Sequence, residues 1–475
     1  MVTGRPATRR GPRLGSALLF GLVAQLLWLL CCLWSYTVIA RTWGYQGFVV
    51  VTPVGVMRLL AIVLALIGLS FLLPRRLASP ADYVVAVLFD VSFVPFCTYW
   101  VLSNQPWWQG LLVTVYWALV LLVSGLPVRI RIRYVNGAQN SMFLVAYGLV
   151  LAGMILIVAG GHLTLRLPLA DVYAVRTVWA SEGSWMSMYL FPWLGYVLLP
   201  LLSAHAWKNR KPGELVLLGF TTYMLFTSTG MKGYLFMPVL VAVVLVIAEW
   251  RPPGSFVPVA LGVFASAMVL LDNITGSVTW SSLGLRRVLF VPAHLTSVYL
   301  EFFAVNPVVH LSESILLRGW LTYPYPVSVP HMIGAFLGQP AMNSNNGLIS
   351  DGFSNFGVVG VLVWAVLLGM LIWLLRIATG RRENRLEAWA VVAIWPDVLL
   401  SSALTTSLLT NGLALGLLVA WSLQPERFTS GAANSEQSPG TMNRSHRGAS
   451  DEKIRGRPGR WGIDSHRNDE SRRSS

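Results

Sequence analysis

Residues 141–160 read SMFLVAYGLVLAGMILIVAG, twenty residues without a charge. A transmembrane helix needs about 20 consecutive apolar residues, so this run reads as a membrane span. Outward from it the pattern repeats. Apolar segments recur at roughly 15–40, 48–73, 81–102, 110–127, 186–204, 214–229, 233–249, 256–272, 356–375, 387–402 and 411–423. Together they make twelve, of which the last two are short. The expected fold class is an all-α polytopic membrane protein of about twelve transmembrane helices with one long outer-face loop.

The composition agrees. Of 475 residues, 55% are hydrophobic and 12% charged, about half the charged share of a soluble domain. An ordinary soluble enzyme and a disordered chain are both excluded. The net charge of +15 points first to cytoplasmic loops obeying the positive-inside rule. No nucleic-acid partner is expected. The connections, sorted alternately, carry 17 cations on one side, among them Arg75, Arg76, Lys208, Arg210, Lys211, Arg251 and Arg376. The other side carries seven: Arg41, Arg166, Arg176, Lys232, Arg286, Arg287 and Arg318. That split places both termini in the cytoplasm. The N-terminal arm (1–14) holds four arginines and precedes an apolar run too long for a cleaved signal peptide. The bundle spans 15–423. The segment 424–475 is rich in Ser, Gly, Arg and Asn, cannot bury a core, and reads as a disordered cytoplasmic tail.

Cys31, Cys32 and Cys97 all fall in apolar runs, so neither a disulfide framework nor a cysteine metal site is expected. No HExxH or GxxxxGK[ST] pattern occurs, and no metal or other cofactor is expected. Trp43, Trp107, Trp108, Trp185, Trp207 and Trp250 sit at span ends, as an interfacial aromatic belt does. Arg58 and Asp90 fall inside spans. Intramembrane charge is expensive, and a pair between neighbouring spans would lower the cost. Asp397 follows Pro396, near an expected helix break.

The chemistry is expected on the outer face, in residues 274–355. Loops beyond about 15 residues are usually functional. Arg286 and Arg287, with Arg176 and with Lys232 in the turn TGMKG (229–233), are candidates to grip a pyrophosphate. Guanidinium groups hold phosphate oxygens by paired, charge-assisted bonds. Lipid headgroup anchoring explains any one of them equally. His294, His310, His331, Glu301, Glu313 and Asp351 are candidate bases within hydrogen-bond reach of a sugar hydroxyl. RRVLFVPAHLTSVYLEFF (286–303) is apolar, aromatic and interrupted by Pro292, suited to lie along the interface or dip into it. In NSNNGLISDGFSNFGVVG (343–360), Asp351 or Ser354 is expected to cap the next helix.

Taken in order, STGMKGYLFMP, RRVLFVPAHLTSVYLEFFAVNP, Ile333-Gly334 and NSNNGLISDGFSNFGVVG resemble the Wzy-type oligosaccharide repeat-unit polymerases of bacteria, the O-antigen and capsule polymerase group. The resemblance covers roughly 165–375. It implies a membrane glycosyltransferase working on undecaprenyl-pyrophosphate-linked oligosaccharide repeats at the outer face. A flippase and a chain-length regulator would be its partners. It places Arg286, Arg287, Arg176 and Lys232 at the pyrophosphate. Glu301 stands where many members have Asp, and Asp351 stands in the Asp-Gly-Phe motif. His310 remains a further candidate base. The doubled arginine and the Arg/Gly/Ser tail depart from the family pattern. Three alternatives stay open: an O-antigen ligase-type transferase, a polyprenyl-phosphate-sugar glycosyltransferase, and a transporter. RTWGYQG (41–47) lacks the carboxylate the second would use. Few midplane charges and no clear repeat count against the third.

Overall fold

The computed structural model describes residues 14–127, 138–160, 167–168, 171–314, 317, 319–379 and 386–423. The N-terminal arginines, Arg129, Arg131, Arg133, Arg166, Arg318, Arg381, Arg382, Arg385 and the segment 424–475 lie outside them. The chain divides into a unit over Met1–Glu426 and another over Arg427–Ser475, and every described residue belongs to the first.

The described residues are helical, with no named strand and one isolated bridge between Arg76 and Pro253. In chain order the helices are α1 (Leu14–Trp43), α2 (Val56–Ser70), α3 (Pro80–Leu102), α4 (Trp107–Ser124), α5 (Ala138–Ala159) and α6 (Val172–Glu182). Next come α7 (Trp185–Lys208), α8 (Pro212–Thr229), α9 (Lys232–Trp250), α10 (Phe256–Thr275) and α11 (Thr279–Val305). The series closes with α12 (Val329–Phe336), α13 (Ile349–Thr379), α14 (Leu386–Val391), α15 (Trp395–Ser401), α16 (Leu404–Leu409) and α17 (Leu413–Ser422). Nine described helices are long and apolar enough to cross a membrane: α1, α3, α4, α5, α7, α9, α10, α11 and α13. The chain is a polytopic helical membrane protein.

The expected twelve segments differ from these nine for local reasons. In 48–73 only Val56–Ser70 is helical, because Pro53 cannot sit in a helix interior and biases its predecessor away from helix. The segment at 214–229 forms α8, but Thr221, Thr222, Thr227, Ser228 and Thr229 make it polar. The segment at 387–402 splits into α14 and α15 around Pro396. Ahead of α17, Gly412 adopts φ 80°, a conformation glycine tolerates at little cost.

Residues 274–355 are not one irregular loop. They hold α11 and α12. Asp272 starts α11: its carboxylate accepts from the amides of Trp280 (2.8 Å) and Ser281 (3.0 Å). By length α11 could cross a bilayer, yet its contacts run along one end of the bundle. Arg286 reaches Gln46, beyond α1, while Ser297 reaches Gln105 and Gln109, between α3 and α4. Those two connections are neighbours, since the Tyr36 hydroxyl meets Ser103 Oγ at 2.8 Å and the Val51 amide donates to the Leu102 carbonyl. Between them the His294 ring bonds the Tyr99 hydroxyl at 2.8 Å.

Helix α3 is the hub. Almost every side chain along it is buried, as a helix hydrophobic on all sides must be. It packs on α1, α4, α11, α13 and α15. Ser79 caps its start, accepting from the Asp82 amide at 3.2 Å and donating to the Asp82 carboxylate at 2.8 Å. Arg376, at the far end of α13, pairs with Asp82 at 3.0 Å. Helix α13 breaks at Phe356 (φ −145°) and Gly357 (φ 60°, ψ −143°). The Ile349–Asn355 segment therefore folds back over it.

Arg58 and Asp90 do not pair. The Arg58 guanidinium lies between the rings of Trp100 and Trp107, at 5.0 and 5.1 Å, and donates to the Gln105 carbonyl. Aromatic faces substitute for a counter-ion there. Asp90 instead accepts from Gln25 Nε2 at 2.8 Å.

Candidate functional site

The seven sequence-derived residues gather toward the end of the bundle that carries α11, but in separate groups. One group forms on the turn between α8 and α9. Gly230 adopts φ +67° there and lies so close to α6 that an added Cβ would meet the Val172 carbonyl at 2.5 Å and the Arg176 amide at 3.1 Å. A glycine with an αL backbone and no side chain is what allows the turn to touch α6. The contact sets Arg176 of α6 beside Lys232, the first residue of α9. Arg176 is exposed and Lys232 half-buried.

Two residues join this group that the sequence reading did not choose. Tyr196 lies on a π-helical stretch of α7, Leu194–Leu198. The widened turn precedes Pro200, which has no N–H to give the Tyr196 carbonyl. Such π turns recur at functional sites. Its hydroxyl is 3.1 Å from the position of a Cβ on Gly233, the residue after Lys232. Arg176 and Asp397 both lie within electrostatic reach of that hydroxyl. Asp397 is exposed although its helical neighbours Trp395, Pro396, Val398 and Leu399 are buried. Sequence pattern marked the Pro396 break but not this proximity, since Tyr196 and Asp397 are 201 residues apart.

Arg286 and Arg287 form a second group, on another π-helical stretch, Ser282–Phe290, that ends before Pro292. Their helix packs on α1, α3 and α10, whereas α6, α8 and α9 pack among themselves and on α7 and α14. The two cation groups therefore belong to different helix clusters. The Arg286 guanidinium stacks on Trp43 at 4.2 Å, donates to Gln46 Oε1 at 2.7 Å and to Ser282 Oγ at 3.3 Å. Those contacts staple α11 to α1. Arg287 is exposed.

The carboxylates differ in what they are free to do. Asp351 is buried, and both oxygens are engaged: Oδ1 accepts from Asn355 Nδ2 (3.0 Å), Oδ2 from the indole of Trp364 (2.6 Å) and the Leu404 amide (2.7 Å). It does not cap its own helix as expected. It ties the folded-back start of α13 to the first residue of α16. Around it, Asn346 Nδ2 donates to Thr296 Oγ1 (3.0 Å) and Ser350 Oγ (2.8 Å). Glu301 on α11 is exposed and within electrostatic reach of the Tyr99 hydroxyl. His310 is exposed, with its ring 5.6 Å from that of Phe356 and its amide bonded to the Asn355 carbonyl. In the connection ahead of α12, Glu313 accepts from the Val329 amide at 3.1 Å. Burial, reinforced by the Glu313 charge, pushes the Tyr323 phenol upward.

No family model, curated protein or solved structure matches this chain. The chemistry must therefore be read from the residues themselves. Among the described residues no cluster of three or more His, Cys, Asp or Glu side chains is placed to hold a metal. Arg176 and Lys232 could hold an oxyanion at the membrane boundary, with Asp397 and Tyr196 beside it to exchange a proton. Arg286 and Asp351 are committed to holding helices together.

Proposed function

We propose that this protein is a membrane glycosyltransferase of bacterial surface polysaccharide assembly. It would polymerise undecaprenyl-pyrophosphate-linked oligosaccharide repeat units on the outer face of the plasma membrane, with both termini cytoplasmic. No nucleotide sugar is present outside the membrane, so the donor must arrive activated, and a lipid pyrophosphate supplies that activation. The catalyst then needs cations for the leaving pyrophosphate and a base for the acceptor hydroxyl. The observation that carries the reading is the approach of Arg176 and Tyr196 to the Gly230–Gly233 turn that begins α9 at Lys232, with Asp397 within electrostatic reach of the Tyr196 hydroxyl. Cations fixed where charge develops are often the largest catalytic contribution. Asp397 is the carboxylate within electrostatic reach of the Tyr196 hydroxyl, which Arg176 also reaches. Glu301 and His310 stay as candidates on the α11 side, where the exposed Arg287 would guide the second lipid-linked substrate.

The resemblance of 165–375 to the repeat-unit polymerases supports the same reaction. A ligase-type transferase would share these cations and differ only in its acceptor. The discriminating experiment is the size profile of lipid-linked and surface glycans in the host, comparing the intact gene, its deletion, Arg176→Ala/Lys232→Ala and Arg286→Ala/Arg287→Ala. The expected result is a ladder reduced to a single repeat unit in the deletion and in Arg176→Ala/Lys232→Ala. A full ladder stranded on the lipid carrier in the deletion means a ligase. Glycans unchanged by the deletion would overturn the assignment and favour transport.

A further inference from the structure

The other notable polar feature lies away from that site, half-way along α3. Asp90 is 1% exposed and sits ten residues into a 23-residue span. Among the described residues its one side-chain partner is neutral: Gln25 Nε2, at 2.8 Å. Gln25 is itself 5% exposed, and its Oε1 has no hydrogen-bond partner. Both residues line a cavity of about 380 Å3, whose wall also includes Ser16, Phe20, Leu73 and Arg75. Arg75 belongs to the end where its carbonyl accepts from the Gly254 amide, so the cavity connects that end with the middle of the span.

Among the described residues no ion pair forms with Asp90, and Arg75 is the charged residue that shares its cavity. On α1 the nearest titratable group is the Cys32 thiol, buried and within electrostatic reach. On α3 itself Asp82 is held by Arg376 of α13. Arg58 of α2 is held by Trp100 and Trp107, and Asp272 of α10 by the start of α11. On α11, Arg286 is held by Trp43 and Gln46, His294 by Tyr99, and Glu301 lies toward Tyr99. Asp351 of α13 is saturated, and Asp397 of α15 lies beside Tyr196. Helix α4 carries no charged residue. An ionised carboxylate cannot stay buried with one neutral donor: it either takes a proton or holds a cation. A second acceptor without a partner sits beside it, and a cavity leads to both.

We infer that Asp90 and Gln25 form a monovalent-cation site, occupied by a proton or a small alkali cation that enters through the cavity beside Arg75. This goes beyond the glycosyltransferase reading and does not depend on it.

The test uses the whole protein in nanodiscs and dicyclohexylcarbodiimide, which modifies protonated carboxyls in apolar surroundings. The readout is mass-spectrometric labelling of the peptide containing Asp90, with Asp90→Asn as the control. Difference infrared spectra give a second readout, a carboxylic C=O band absent from Asp90→Asn. For a proton, labelling falls about tenfold per pH unit on the alkaline side of its midpoint and ignores sodium. For sodium, labelling at fixed pH is suppressed as NaCl replaces choline chloride. Labelling and band that stay constant from acid to alkaline pH and with sodium mark a permanently neutral, structural acid and overturn the site. So does the absence of both. Gln25→Ala, which removes the neighbouring acceptor, is expected to shift the midpoint or the sodium dependence by at least severalfold.

Discussion

At the residue scale, burial separates structural carboxylates from reactive ones. Asp351 looked reactive in the sequence because it stands in an Asp-Gly-Phe motif. Its oxygens are consumed by three donors from Asn355, Trp364 and Leu404. Leaving buried donors without an acceptor costs about 1–3 kcal/mol for each group. Asp351→Ala is therefore expected to lose on the order of 3 kcal/mol of stability and to lower the melting temperature in detergent. Wild-type melting with complete loss of polymer would instead make Asp351 a reacting group. Asp397 presents the opposite case. It is exposed within a buried helix, so Asp397→Asn is expected to leave melting unchanged while reducing polymer formation about 100-fold or more, the scale of a lost general base. Quantitative gel profiles of the host glycan check it. Normal chain lengths in that variant would return the base to Glu301 or His310.

At the scale of elements, breaks in the helices matter more than the helices themselves. The Gly230 turn, the two π-helical stretches and the Phe356–Gly357 kink place the polar residues. Gly230→Ala meets a strained backbone at φ +67° and a carbonyl at 2.5 Å, so α6 must move away from the α8–α9 turn. The expected outcome is a protein that still inserts in the membrane but makes little polymer, together with faster protease cleavage within α6. Polymer at wild-type level would separate Arg176 from the site. Much of this architecture was legible in the sequence. Uncharged runs marked the long spans, whereas the apolar, proline-broken 286–303 stretch, read as lying along the interface or dipping into it, belongs to a helix, Thr279–Val305, long and apolar enough to cross a membrane. Two kinds of information were not legible. Hydropathy does not show how short helices such as α14, α15 and α16 break, because proline, glycine and tertiary hydrogen bonds decide it. Nor does it show pairing at long range, so Arg58 and Asp90 suggested a couple while the protein gave one to tryptophans and the other to an amide.

At the scale of the whole molecule, orientation decides whether the proposed chemistry is possible. The end of the bundle that carries Arg75, Arg76 and Arg251 is stitched together by the Leu77–Pro252 and Gly254–Arg75 backbone bonds and by the Asp82–Arg376 pair. Nearby, Lys208 approaches the buried Glu387 at 3.5 Å. The opposite end carries α11, the Gly230 turn and the 306–348 connection. The cation excess belongs to the first end, and by the positive-inside rule that end should be cytoplasmic. On the proposed reading, the site at the other end would then face the compartment where lipid-linked repeats are delivered. Single cysteines introduced at His310 and at Arg210 test this directly. Cys32 and Cys97 are buried and Cys31 is half-buried, so a Cys31→Ser background contributes little labelling of its own. A membrane-impermeant maleimide added to intact cells is expected to modify the cysteine at 310 and to reach the one at 210 only after permeabilisation. The reverse pattern would put Arg176, Lys232 and Asp397 in the cytoplasm, where nucleotide sugars are available and a lipid pyrophosphate donor is no longer required. The polymerase reading would fall with it, while the Asp90 site, whose cavity opens at the Arg75 end, would then draw its cation from outside.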